Sequence, residues 1–268
     1  MTRRGLFAPA LGLLAAACAP LGLRGGLEGR LSRDVRRVAH DLPYGEDPRQ
    51  RLDLYAPRGA RGLPVLVFLG KPGVHDQYEP TALALAARGF VVALPDYPVT
   101  RPPLFPAQIA DAALAMAQAA RLAADHGGDP TRLGVIGHGA GAGLAMMITL
   151  DRRYMAAVDQ PNLIRAAAGL AGVYGAAQTT DPTWTQPIAY VRPNAPPIWL
   201  GYGADDNTVA AADTVTLHQR LRDSGGRSEI KLYPGLDHAG IIEAFLLSDR
   251  PEASAWDEVA GFFRRHLQ

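Results

Sequence analysis

Arg132-Leu133-Gly134-Val135-Ile136-Gly137-His138-Gly139-Ala140-Gly141-Ala142-Gly143 is the stretch on which the fold turns. Arg132 to Ile136 is an apolar run of the length of one strand, as expected for a strand covered on both faces. The glycines at 137, 139 and 141 then make a tight turn, and Gly141 to Leu150 continues in Ala, Leu and Met, which favour helix. Three readings of this strand–turn–helix compete. A phosphate loop would place G-x-G-x-x-G after the first strand, or carry a Walker lysine, and neither is present. A helix start packed closely on its strand would need small residues and carry no chemistry. The third reading is a strained turn of the form G-x-S-x-G, which lifts a nucleophile above a sheet, with Gly139 standing where the serine would be.

Outward from this point, strand and helix patterns alternate. Strands are expected at 51–55, 63–69, 90–94, 166–170, 198–202 and 229–233, and helices at 81–88, 106–124, 209–222 and 254–267. Gly89 and Gly127-Gly128 supply helix ends. Strands alternating with helices build a mostly parallel sheet with helices on both faces, an α/β fold in one domain. The basic trio Arg33, Arg36 and Arg37 reads as a solvated strand edge.

Composition narrows the function. The chain has 268 residues, of which 48% are hydrophobic and 20% charged, and this excludes disorder. Net charge is +1, from 27 basic and 26 acidic residues, so no strong field favours nucleic acid or an anionic membrane. The seven histidines show no H-E-x-x-H or paired spacing, and no metal or other cofactor is expected. The single cysteine, Cys18, excludes an internal disulfide. It follows a basic start, Thr2-Arg3-Arg4, and an apolar run from Leu6 to Ala17, too short to span a membrane. Leu14-Ala15-Ala16-Ala17-Cys18 resembles a bacterial lipoprotein cleavage site. The expectation is a signal segment over 1–18, a tether over 19–32, and a domain over 33–268, exported to the periplasmic face and joined to the membrane only through a lipid on Cys18. Simple signal cleavage near Cys18 is the alternative.

The order of several short motifs along the chain resembles the α/β-hydrolase superfamily, in its bacterial carboxylesterase and feruloyl-esterase-like branch. Gln50-Arg51-Leu52-Asp53-Leu54-Tyr55-Ala56-Pro57 is similar to that group's second strand, and Leu63 to Leu69 to the strand before its oxyanion loop. Asp96-Tyr97, Gly127-Gly128-Asp129-Pro130, and Gly203-Ala204-Asp205-Asp206-Asn207-Thr208-Val209 follow in the expected order, and Tyr233-Pro234-Gly235-Leu236-Asp237-His238 closes it. The resemblance implies the chain order nucleophile, acid, histidine. This assigns Gly139 to the vacant nucleophile position, Asp206 to the acid that orients the imidazole, with Asp205 as the alternative, and His238 to the base. Lys71, Gly73, Ala140 and His138 are the expected oxyanion and pocket residues, and Trp184 and Tyr190 fall where the family builds a pocket wall.

The nucleophile itself is missing. Serine occurs only at 32, 224, 228, 248 and 254, and Thr149 lies two helical turns past the elbow. Where the family carries H-G-G-G-W, this chain reads Gly70-Lys71-Pro72-Gly73-Val74-His75, and Pro72 has no N–H to donate. Three functions remain open: a hydrolase-fold protein that binds a small molecule or a partner without turnover, a hydrolase of small esters or lactones that uses His238 and Asp206 on water, and an interaction lipoprotein with a collapsed site.

Overall fold

The computed structural model of the protein describes residues 34–98, 106–175, 186–244 and 254–268. The expected signal segment, Cys18, the tether and Trp184 lie outside these residues. Eight strands form one sheet: β1 (Val35–Pro43), β2 (Arg51–Pro57), β3 (Leu63–Leu69), β4 (Val91–Pro95), β5 (Gly128–His138), β6 (Ile164–Leu170), β7 (Ile198–Gly203) and β8 (Ser228–Tyr233). Their spatial order is β1-β2-β4-β3-β5-β6-β7-β8. β2 runs antiparallel to both its neighbours, and every other pairing is parallel.

The helices are α1 (Glu79–Ala86), α2 (Ala107–Ala123), α3 (Ala140–Leu150), α4 (Arg152–Ala156), α5 (Ala211–Asp223), α6 (Gly240–Glu243) and α7 (Ser254–His266). Successive side chains of a strand point to opposite faces. Val65, Val67 and Leu69 of β3 therefore join one apolar layer with Met116 of α2, Met146 of α3 and Leu217 of α5. Leu66 and Phe68 join the other, with Leu85 of α1 and with Trp256, Phe262 and Phe263 of α7. A strand with helices on both sides has no polar face, which is why β3 reads as an unbroken apolar run.

The boundaries differ from the sequence expectation by a few residues at several element ends, and four of the differences have a local reason. α1 begins two residues before Thr81, because Pro80 fits a first helical turn. β5 begins at Gly128, and its Pro130 is tolerated where the register with β3 shifts between Leu63 and Val65. α5 begins at Ala211 instead of Val209, because the Val209 amide donates to Asp206 Oδ1 at 2.9 Å. β1 has no clean apolar alternation. It is an edge strand with two register irregularities, and Arg36 and Arg37 face solvent on it.

β1 is fastened to the sheet by one buried carboxylate. Asp53 of β2 accepts from Arg37 at 3.0 Å and from the Asp41 amide at 2.8 Å, and it pairs with His40 Nδ1 at 2.8 Å. Burial alone would raise its pKa, but the Asp41 amide, His40 and Arg37 together hold it below the ordinary carboxylate range. The lowered native pKa makes the contribution complete above the unfolded value of about 4 and lost as the pH falls through the native value. Asp53→Asn should cost about 2–3 kcal/mol at pH 7, the scale of charge-assisted hydrogen bonds, and the difference from wild type should shrink below about pH 4. Urea unfolding at a series of pH values measures both.

Candidate active site

The site is built on the turn between β5 and α3. Gly139 has φ +56° and ψ −120°, a conformation that L side chains adopt only under strain of about 1–3 kcal/mol. Its amide donates to the Leu170 carbonyl of β6 at 2.9 Å, so the turn is tied to the neighbouring strand. Two residues on, a Cβ at Gly141 would run into the Leu69 carbonyl at the end of β3. Only glycine lets α3 start that close to the sheet. The close-packed reading of the glycine run and the strained-turn reading are therefore both present in one element. The Ala142 and Gly143 amides of α3 donate to the Gly139 carbonyl at 3.1 and 3.3 Å, and the Ala140 amide, as at any helix start, has no acceptor within the helix.

Above this turn stands an Asp–His pair. Asp206 lies three residues beyond the end of β7 and His238 five beyond the end of β8, so both follow carboxyl ends of parallel strands. Asp206 Oδ2 lies 2.9 Å from His238 Nδ1, and its Oδ1 accepts from the Thr208 and Val209 amides at 2.8 and 2.9 Å. The carboxylate is 2% exposed. A carboxylate can only accept, so His238 Nδ1 carries the proton toward Asp206, and in the neutral ring Nε2 is the acceptor. That Nε2 lies 3.2 Å from where a Cβ on Gly139 would be. Asp205, the alternative acid, donates its amide to the Leu236 carbonyl at 3.0 Å and so braces the loop that carries His238.

His138, the last residue of β5, is 7% exposed. Its ring centroid lies 4.7 Å from that of His238, and its Nε2 is 3.0 Å from the His238 carbonyl oxygen. Nδ1 is 3.4 Å from the Tyr78 hydroxyl. Burial, then the nearby His238, pushes its pKa down to about 4. His138 is thus neutral at pH 7 and lies beneath the site, against the loop backbone.

The loop after β3 differs from the expectation that Gly73 faces the site as a donor. The Gly73 amide donates to Asp96 Oδ1 at 2.9 Å, and the same oxygen accepts from the Tyr97 amide. Tyr97 also donates its hydroxyl to the Gly70 carbonyl. The carboxylate at the end of β4 captures the loop, so the Gly73 donor is engaged. Lys71 is exposed in that loop. Tyr190 packs at the far end of α3, where Arg153 lies 5.5 Å from its ring centroid and donates to its hydroxyl at 3.2 Å. Asp96 and Tyr78 had been given no role from sequence. Asp96 was open to detection, because it ends a parallel strand; Tyr78 belongs to a short 3₁₀ turn over His75–Tyr78 and carries no sequence signal.

Groups that could replace a serine are placed elsewhere among the described residues. Thr149 donates to the Ala145 carbonyl within α3, Ser224 donates to the Leu221 carbonyl, and Ser228 pairs with His218. No cluster of three or more His, Cys, Asp or Glu suited to a metal occurs among the described residues. None of the described helices is long and apolar enough to cross a membrane.

The profile described as the dienelactone hydrolase family matches residues 52–267. The chain is 25% identical over 246 residues to a probable isoprenylcysteine alpha-carbonyl methylesterase of Oryza sativa subsp. japonica, covering 77% of this chain and 58% of that protein. It is 28% identical over 267 residues to the esterase LipQ of Mycobacterium tuberculosis, covering 85% and 63%. The chain thus spans about three fifths of the length of these curated relatives. Among solved structures, a truncated carbohydrate esterase from gut microbiota superposes with a TM-score of 0.71 at 17% identity, covering 85% of this chain and 95% of the other. Esterase B of Lactobacillus rhamnosis gives 0.71 at 18%, covering 89% and 91%. These structural likenesses establish the α/β-hydrolase fold.

The packing of the turn has a direct consequence for stability. Gly141→Ala forces a methyl group against the backbone of β3 and should cost about 3 kcal/mol or more, at the upper end for overpacking. Gly139→Ala meets only the edge of an imidazole and the strain of its φ, and should cost about 1–3 kcal/mol. Chemical denaturation of the two variants should rank them in that order.

Proposed function

The chain belongs to the dienelactone hydrolase family, and from that premise we propose that it is an esterase-like member which binds a small carbonyl compound without forming an acyl-enzyme. The observation that carries this reading is the bare Cα of Gly139 beneath His238 Nε2. Covalent catalysis needs a side chain there, and glycine offers none. In this reading Gly139 occupies the nucleophile's place, Asp206 fixes the ring of His238, and Nε2 accepts a hydrogen bond from a hydroxyl or amide of the ligand. A ligand carbonyl oxygen would lie toward the Ala140 amide, at the positive end of α3. The expected export and attachment through Cys18 belong to this proposal and rest on sequence alone.

A second reading is favoured by the intact Asp206–His238 bond of 2.9 Å. A base so oriented could deprotonate water for attack on an activated ester or lactone. A general base contributes typically 10²–10⁴-fold, so the activity would be modest. The engaged Gly73 amide argues against strong turnover, since it removes one donor for a developing oxyanion.

Three measurements separate these readings. Butyramide, a small carbonyl compound with an amide N–H to offer His238 Nε2, should raise the melting temperature of the wild type and not that of His238→Ala; no shift in either protein would overturn the binding reading. Hydrolysis of p-nitrophenyl acetate and of γ-butyrolactone should be no faster with the wild type than with His238→Ala. A rate that falls about 10²-fold or more in the variant would transfer the assignment to water activation. Gly139→Ser alone should restore little esterase activity, because the new Cβ lies 3.2 Å from His238 Nε2 in a strained turn and the β3 loop has lost a donor. Robust rescue by that single change would show that the loop is still competent.

A further inference from the structure

We propose that His138 is a positioning residue: its imidazole, set by the Tyr78 hydroxyl on one side, holds the backbone carbonyl of His238 on the other and so keeps the Asp206–His238 pair over Gly139. This rests on the reading of Asp206 and His238 as the working pair, and is independent of whether their ligand is bound or hydrolysed.

The geometry defines which nitrogen does what. A carbonyl oxygen accepts only, so the 3.0 Å contact between His138 Nε2 and the His238 oxygen requires the proton on Nε2. Neutral His138 then has a lone pair on Nδ1, and the Tyr78 hydroxyl, 3.4 Å away, is the donor that matches it. The ring is held between two aromatic neighbours, with centroids 6.2 Å from Tyr78 and 4.7 Å from His238. Its low pKa, about 4, keeps it neutral and excludes it from proton traffic near pH 7.

His238 sits in an irregular loop between β8 and α6, and its backbone needs an anchor of its own. Asp206 reaches only the ring of the side chain, at Nδ1. The neighbouring residues are tied separately: the Leu236 carbonyl to the Asp205 amide at 3.0 Å, and Asp237 Oδ1 to the Gly240 amide at 2.6 Å. His138 supplies the tie at residue 238 itself. It stands at the last register pair of β5 with β6, opposite Leu170, inside the central sheet. A second consequence is linkage between loops. Tyr78 comes from the segment after β3, on the expected oxyanion side, so the chain Tyr78–His138–His238 couples that segment to the base.

The test reads the base directly. His238 Nδ1–H, bonded to Asp206, should give a slowly exchanging downfield proton resonance, assigned by its absence in His238→Ala. In His138→Gln the side-chain amide can reach the same carbonyl, and the resonance should persist. In His138→Asn the shorter side chain cannot, and solvent exchange of that proton should be about tenfold faster, the order that one hydrogen bond supplies. Tyr78→Phe should give an intermediate effect by freeing the tautomer of His138. Melting curves establish that each variant is folded; if His138→Asn does not fold, the Gln and Phe variants still decide. Unchanged exchange in His138→Asn, or in Tyr78→Phe where that variant alone is available, would overturn the proposal. Equal loss in folded Gln and Asn variants would also overturn it, because packing and not the hydrogen bond would then hold the base. Failure of the binding assays with butyramide would leave this resonance untouched, so the two proposals fail separately.

Discussion

The close approach of α3 to the ends of β3 and β5 is the constraint from which the rest of the site follows. Gly141 has no room for a Cβ against the Leu69 carbonyl. With the helix start fixed there, the chain must leave β5 through a sharp turn, and Gly139 takes a positive φ. The turn in turn sets where His138 and Ala140 lie, one beneath the site and exposed to little solvent, the other at the head of the helix. A looser junction would allow a softer turn, but the His238 ring would then have no fixed floor.

The second element is the arrangement of strand ends. In an open parallel sheet the loops that follow the strands gather at the carboxyl edge. β4, β5, β7 and β8 send Asp96, Gly139, Asp206 and His238 to that edge from four separate parts of the sequence. The acid and the base retain close, directional contact, whereas Asp96 has drawn the β3 loop onto itself. The site is therefore ordered around the Asp206–His238 pair, while the Gly73 amide of the β3 loop is engaged by Asp96.

Much of the fold was legible in the sequence because helices cover both faces of the central strands. Burial on both faces forces apolar runs such as Leu63–Leu69, and glycines such as Gly89 and Gly127 mark where helices stop. Of β1 only the solvated edge at Arg36 and Arg37 was legible and not its bounds, because an exposed edge needs no apolar pattern; the strand is held by its ladder with β2 and by Asp53 through Arg37 and His40. The start of α5 was misplaced for a similar reason: the Asp206 carboxylate takes the amide that a helix would otherwise include. At the site, the order of motifs in the resemblance points to Asp206 and His238, and the fold brings these two side chains to 2.9 Å of each other. The engagement of Gly73 by Asp96 and the contact of His138 with a backbone carbonyl depend on three-dimensional proximity across 23 and 100 residues, which no local pattern encodes.

The central claim is that an ordered Asp–His base stands over a position that cannot be acylated. Intact-protein mass spectrometry after incubation with a fluorophosphonate tests it most directly, since the reagent forms a stable adduct with an activated nucleophile. The account predicts that the mass stays that of the unmodified protein. A stoichiometric adduct that disappears in His238→Ala would contradict it.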